Sequence, residues 1–247
     1  MRILSYNIYN CFAHSQAFET LAQQLEALYV HTVLLNEYRM DENGLQLRTA
    51  LEAAGFTWFE AGMSANRRGN NANCNAIFSR EPFEVVMNSE DFRFVAVRQA
   101  GMLLCAYHAS PRGAEVVRNE VELVRNFTDR YEQVLLAGDL NSLAAADREA
   151  LRYDEFTDGL ERYMKDEALS FEAIDRLIEG GFKDLNVDRE LFTVPTAIGR
   201  KAEAGQRLRL DYAFGKGSRA SAKQALILRG KPFDQISDHY PVLIRPS

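Results

Sequence analysis

The chain opens with "RILSYNIY", where apolar and polar residues alternate at the period of a half-buried strand. In "SQAFETLAQQLEALYVH", Phe18, Leu21, Leu25 and Leu28 recur at helical spacing behind Ser15, a side chain suited to cap a first turn. That pattern predicts an amphipathic helix. "TVLLNEYR" is a continuous apolar run of strand length that stops at charged residues. A second helix is predicted over 44–54 with Gly55 ending it, then a strand in "FTWFEAG", a polar turn-rich loop in "NRRGNNAN" and a strand in "CNAIFSR".

Further along, a strand is predicted over 92–97 and a more apolar one in "GMLLCAYHAS". A long helix follows over 114–131, with Val117, Val121, Val124 and Phe127 in one stripe. "QVLLAGDLNS" is again an apolar strand with a polar end. The 143–180 stretch, rich in helix formers and charge, predicts two or three helices and little strand. "FKDL", "LRLDYAFG", "KQALILRG" and "HYPVLIRP" close the chain as short strands between Gly and Pro. Apolar strands mixed with long helices imply sheets covered by helices, an α/β layered architecture in one domain over 1–247.

Composition narrows the classes. A chain of 247 residues that is 47% hydrophobic can bury a substantial core. Its 29 Lys and Arg against 35 Asp and Glu give a net charge of −6, so no general grip on nucleic acid or anionic membrane is expected, although a local patch such as Arg67 and Arg68 remains open. Cys11, Cys74 and Cys105 form neither an even disulfide framework nor a C-x-x-C metal spacing, which suits a reducing compartment. The opening strand leaves no room for a secretory leader, and no apolar run has membrane-spanning length. A cytoplasmic protein without stable membrane association is expected. Nothing in the sequence indicates the oligomeric state.

The candidate chemistry lies where apolar strands run out into polar residues: Asn7, Glu37, His108, Asp139 with Asn141, Asp211, and Asp238 with His239. Any one of these alone reads as a turn former or a surface group. Asp211 and Asp238 are harder to dismiss, since each sits in a short apolar run and a buried carboxylate requires a partner, hydrogen bonds or a metal.

The segments "SYNIYN", "LLNEYR", "CNAIFSR", "AYHASP", "AGDLNS", "RLDYAFG" and "SDHYPV" occur in the order found in the endonuclease/exonuclease/phosphatase superfamily, which this chain resembles over almost its whole length. The resemblance implies a four-layer α/β/β/α sandwich, two mixed sheets packed face to face with helices outside, and one metal-dependent site at a rim. It implies Mg²⁺, or Mn²⁺, held by Glu37 with Asn7 and with Asp238 beside the metal or the water. His239 is implied as base or phosphate-binding cation with Asp211 orienting it, and Asp139 with Asn141 as the pair that positions water and holds a phosphate oxygen. Either Asp139 or His239 can be the proton acceptor. His108 in "YHASP" resembles a deoxyribonuclease segment and is expected to donate to the phosphate. Tyr107 beside it and Asn75 are candidate substrate contacts, although strand alternation admits only one of Tyr107 and His108 to the site.

Three departures stand out. Tyr9 occupies a place where several abasic-site enzymes carry an acid, and Asn36 stands where glutamine is more usual. "NANCNAIFSR" has no carboxylate to pair with His108. The 143–180 stretch is longer than in minimal members and reads equally as a pocket wall or a solvated cover. The expected activity is metal-dependent hydrolysis of a small or lipid-like phosphoester; the alternatives are a nuclease on DNA or RNA and, less favoured, a non-catalytic scaffold. Without long aromatic loops or a membrane-insertion hairpin, a secreted sphingomyelinase is disfavoured.

Overall fold

A computed structural model describes residues 1–11, 16–62, 73–89, 93–155, 160–188, 190–198 and 206–246. Its elements follow in chain order: β1 (Ile3–Asn7), α1 (Gln16–Ala27), β2 (Thr32–Arg39), α2 (Glu42–Ala53), β3 (Trp58–Ala61), β4 (Asn73–Ser79), β5 (Glu84–Asn88), β6 (Phe94–Gln99) and β7 (Met102–Tyr107). They continue with α3 (Ala114–Thr128), β8 (Val134–Asp139), the two-residue strands β9 (Met164–Lys165) and β10 (Ala168–Leu169), α4 (Glu172–Glu179) and β11 (Lys183–Asp184). β12 (Asp211–Lys216), the single turn α5 (Ser218–Ser221), β13 (Lys223–Ile227) and β14 (Val242–Pro246) complete the fold.

The strands form two six-stranded sheets, ordered β13-β14-β1-β2-β4-β3 and β11-β12-β8-β7-β6-β5. Each is antiparallel except for one parallel pair, β1 with β2 and β7 with β8, so both are mixed. The apolar runs explain how the sheets stack. Leu35, Ala76, Val95, Val97, Leu104, Ala106, Leu135, Ala137 and Ala213 share one buried cluster drawn from both sheets. That cluster extends to Phe18, Leu21 and Leu25 of α1 and Leu47 and Leu51 of α2. On the outer side of the second sheet, Leu103, Cys105, Tyr107, Leu136 and Phe214 meet Val117, Val121 and Val124 of α3 and Ile174 and Leu177 of α4. Each fully buried aliphatic side chain contributes about 1.5–3 kcal/mol. The expected sandwich, sheets inside and helices outside, is the observed one.

Local chemistry accounts for the differences in detail. α2 begins two residues ahead of the predicted Gly44, because Asp41 caps it by accepting from Asn43 N at 3.1 Å and Gly44 N at 3.3 Å. Gly44 itself is required by crowding, since a Cβ there would fall 1.6 Å from the Arg39 carbonyl oxygen. The expected cap Ser15, the loop carrying Arg67 and Arg68, and Phe92 lie outside the described residues.

The main correction concerns 143–180. Among the described residues of this stretch only Glu172–Glu179 is an α-helix; they also form three single 3₁₀ turns, Ala145–Asp147, Tyr153–Glu155 and Glu161–Tyr163, and the β9/β10 pair. Its apolar residues are not carried on one long helix. Instead Leu143, Leu151, Tyr153, Leu160 and Tyr163 gather with Val194, Leu208 and Leu210 into a third cluster. Beside it, buried Arg209 donates to Asp147 at 2.7 Å and to Asp184 at 2.6 Å, with its guanidinium 4.4 Å above the Tyr212 ring.

Candidate active site

The polar strand ends come together at one end of the sandwich. Asn7 closes β1, and its Nδ2 donates to Asp139 Oδ2 at 3.0 Å and to Glu37 Oε1 at 3.4 Å. Two carboxylates from different sheets thus lie within reach of one amide. Its Oδ1 accepts from Tyr9 N at 3.1 Å, so the oxygen expected to face a cation is turned to the backbone. Glu37 reaches the cleft through a bulge in β2, where the register with β4 shifts between Leu35 and Tyr38 and Glu37 takes a φ of 61°. The bulge buries Asn36 and leaves Glu37 half-buried, with Glu37 Oε2 accepting from Asn10 N at 2.8 Å.

Asn36 acts as an internal brace. Its Oδ1 accepts the Asp139 N–H at 2.8 Å, and its Nδ2 donates to Asn75 Oδ1 at 2.8 Å and to the Tyr107 carbonyl at 3.3 Å. Asn75 in turn donates to the Arg93 and Ala106 carbonyls at 2.6 and 3.0 Å. Its amide is spent joining the sheets, and it does not line the cleft. Gly138 fits the close approach: a Cβ at its φ of 145° would stand 1.9 Å from the Tyr107 oxygen.

Asp139 occupies the centre. Its Oδ1 accepts from Asn141 N at 2.8 Å, while His108 Nε2 and His239 Nε2 lie 3.6 and 3.9 Å from its Oδ2. Asn141, at a φ of 43°, donates to the Ala109 carbonyl at 3.0 Å. Burial raises the Asp139 carboxyl to about 6, against the pull of His239 and with Asp211 and Glu37 adding to the rise.

His239 Nδ1 meets Asp211 Oδ2 at 2.7 Å. Burial works against its charge, but Asp211, Asp139 and Asp238 outweigh it and lift the imidazole to about 10. Asp211 is fixed in turn by Thr193 Oγ1, which accepts the N–H groups of Leu210 and Asp211 at 3.0 and 3.1 Å. Asp238, raised by burial with Glu37 adding to the rise, has Oδ1 buried without a partner.

His108 is held neutral, well below its usual value, by burial and by the nearby Arg93, His239 and Arg162 charges. Its Nδ1 is also an unpartnered buried atom. Tyr107 points the other way, its hydroxyl donating to Glu120 of α3 at 3.2 Å. Of the neighbouring pair, the histidine enters the site.

Glu37, His108, Asp139, Asn141, Asp238 and His239 line a cleft of about 430 Å³, with Asn7 and Asp211 behind them. Sequence reasoning missed several of its walls: Arg93, Arg162 and the apolar face of Val194, Pro195, Ile198, Leu208 and Leu210. Arg93 is placed by pairing, since His108 N donates to its carbonyl at 3.0 Å, a register that the motif alone does not reveal.

The donors suit a hard divalent ion. Glu37 and Asp238 offer carboxylate oxygens, one of them orphaned, in a cleft where the Glu37 charge raises the cost of ionising Asp238. Among the described residues no three His, Cys, Asp or Glu side chains close into a ligand cluster. Two carboxylates with remaining positions left to water fit the preference of Mg²⁺ for few protein ligands.

Comparison with known proteins bears on the fold and the family. The chain resembles the 3'-5' exonuclease NExo from Neisseria meningitidis, with a TM-score of 0.72, 18% identity and all of both chains covered. It resembles an AP endonuclease from Archaeoglobus fulgidus at a TM-score of 0.73 and 16% identity, covering 100% of this chain and 99% of that one. Beta toxin from Staphylococcus aureus matches at a TM-score of 0.64 and 14% identity, with both chains covered in full. At such identities these likenesses speak for the fold. No curated protein matches the chain. The model of the Endonuclease/Exonuclease/phosphatase family matches residues 4–239. With that match over nearly its whole length, the chain belongs to the endonuclease/exonuclease/phosphatase family, whose members hydrolyse phosphoester bonds and generally depend on a divalent metal.

Proposed function

We propose that the chain is a Mg²⁺-dependent hydrolase that directs water onto the phosphorus of a phosphoester, with Asp139 as the proton acceptor. The convergence of Glu37 and Asp238 with the His239–Asp211 pair around Asp139 carries this reading. Glu37 and Asp238 would hold Mg²⁺, for which Mn²⁺ could stand in, and Asn7 would keep Glu37 and Asp139 in register. Bound there, the cation neutralises phosphoryl charge and eases departure of the leaving oxygen.

The residues divide the remaining work by their proton affinities. Asp139, raised toward neutrality, suits a general base, and Asn141 fixes its orientation through the backbone. His239, held charged by Asp211, suits the role of a cation bonded to a phosphoryl oxygen. Neutral His108 can donate one hydrogen bond to the same group. The cleft accepts one phosphoryl group with a neighbour of nucleoside or headgroup size.

A nuclease is the second reading, favoured by Arg93 and Arg162 in the cleft. The three buried thiols, none in a disulfide, support a reducing compartment, and among the described residues no helix is long and apolar enough to cross a membrane. The test is a side-by-side assay with Mg²⁺ on bis-p-nitrophenyl phosphate, a phosphomonoester, plasmid DNA and single-stranded RNA, using Glu37→Ala as control. Turnover that survives unchanged in that variant overturns the metal assignment.

A further inference from the structure

Two guanidiniums face the cleft without a part in the steps above. Arg93 lies just before β6, largely withdrawn from water, and donates to the Ala109 carbonyl at 3.2 Å. Arg162 sits on the Glu161–Tyr163 turn, exposed, its guanidinium 4.6 Å over the buried Tyr163 ring and hydrogen-bonded to that ring's hydroxyl. Among the described residues neither has a carboxylate within ion-pair distance.

The two are held differently but aim at one place. Both lie near enough to His108 to depress its proton affinity. Glu37, Asp238 and Asp139 line the same cleft, and Arg93 lies close enough to Asp139 and Glu37 to feel their charges. Acidic groups and guanidiniums therefore share one cleft, with both arginines within electrostatic reach of His108.

Arg162 is also well anchored for an exposed side chain. The turn that carries it rests on Leu160 and Tyr163 in the third apolar cluster, whose Val194, Leu208 and Leu210 line the same cleft. The buried Arg209–Asp147 pair ties the start of this segment to the residues leading into β12. Stacking on Tyr163 restricts the guanidinium before any ligand arrives, which lowers the ordering cost of a bidentate grip on an oxyanion.

We propose that Arg162 is a specificity-determining residue that, with Arg93, clamps an anionic phosphoryl oxygen on the His108 side of the cleft. The clamp rests on the phosphoester reading for the nature of the anion, but not for the presence of an anion site. It makes 143–180 a pocket wall with a chemical role, and it selects substrates that carry negative charge on that side.

The test measures inorganic phosphate binding by calorimetry in Mg²⁺ buffer for the wild type, Arg162→Ala and Arg162→Lys. KM and kcat for bis-p-nitrophenyl phosphate are measured alongside. The alanine variant should bind phosphate about tenfold more weakly and show a similar rise in KM, with kcat within about threefold. The lysine variant should recover part of both. Arg162→Gln, which keeps the side chain's length, serves if the alanine variant melts early. Phosphate affinity and KM within about twofold of the wild type in a folded variant overturn the clamp, as does a wild type that binds no phosphate. Arg162-dependent phosphate binding in a wild type that turns over none of the ester probes supports the clamp and overturns the phosphoester reading instead.

Discussion

Two clusters of charge in this protein use the same residue types to opposite ends. Around Arg209 each carboxylate has a cation at hydrogen-bond distance, Asp147 at 2.7 Å and Asp184 at 2.6 Å, so one guanidinium closes the hydrogen bonding of the group. In the cleft, Asp238 Oδ1 and His108 Nδ1 are buried with no partner, and Glu37 meets only N–H donors among the described residues. A closed cluster joins pieces of chain, here the 3₁₀ turn at Asp147, β11 and the segment just before β12. An open one keeps unspent capacity that a ligand must fill.

The sharpest way to break this contrast is to remove a cleft residue and find only a stability effect. His239→Gln, whose amide can still donate to Asp211, should cut turnover by about a thousandfold or more at a smaller cost in urea midpoint than Arg209→Met. If the midpoint collapses and activity survives, the cleft is a second structural knot. The reverse holds for Arg209→Met, which strands two carboxylates and should cost about 3–5 kcal/mol in urea denaturation. A loss below about 1 kcal/mol would mean that the knot contributes little.

A finer effect is expected at the orphaned oxygen. Asp238→Asn should stabilise the metal-free protein by about 1 kcal/mol, because burial of an uncompensated charge is relieved, and weaken divalent-ion binding about tenfold. Thermal melting with and without Mg²⁺ reads both.

The pH dependence probes the open cluster from another side. The Asp139 carboxyl is raised in the folded state from 3.8 to about 6, so the native protein holds a proton that the unfolded chain releases. Its contribution to stability is fully present below 3.8 and lost as pH rises through about 6. Unfolding of the metal-free protein should therefore become easier across that window, and Asp139→Asn should flatten the trend in urea titrations.

How much of this was legible in the sequence depended on whether a residue's role was local. Strand ends such as "AGDLN" were legible as a set and through the family resemblance, and Gly138 there leaves room for nothing larger. Asp211 was readable as a buried carboxylate in need of a partner, and the partner is His239. Other features rest on pairing that no local pattern carries. The bulge at Glu37 depends on β4, Asn75 is consumed by an inter-sheet brace, and Arg93 is placed by its register with His108.

The remaining gaps have separate causes. β5 is a short edge strand with exposed Val85, so its pattern is weak and it was not expected. The 143–180 stretch has helix-favouring composition, yet tertiary packing of Tyr153, Leu160 and Tyr163 overrides that preference. Arg162 had no signal, since an arginine beside a tyrosine in a charged segment resembles any surface cation.

Ser237 donates to the Asn7 carbonyl at 2.7 Å, and β14 lies against β1. This stitch joins residues 230 positions apart, and it sets a schedule for biosynthesis. A ribosome-bound intermediate can carry Glu37, Asp139 and Asp211 long before His239 has emerged. Until β14 arrives, β1 presents a bare edge beside β2, so the same late event that seats His239 against Asp211 also covers that edge against association.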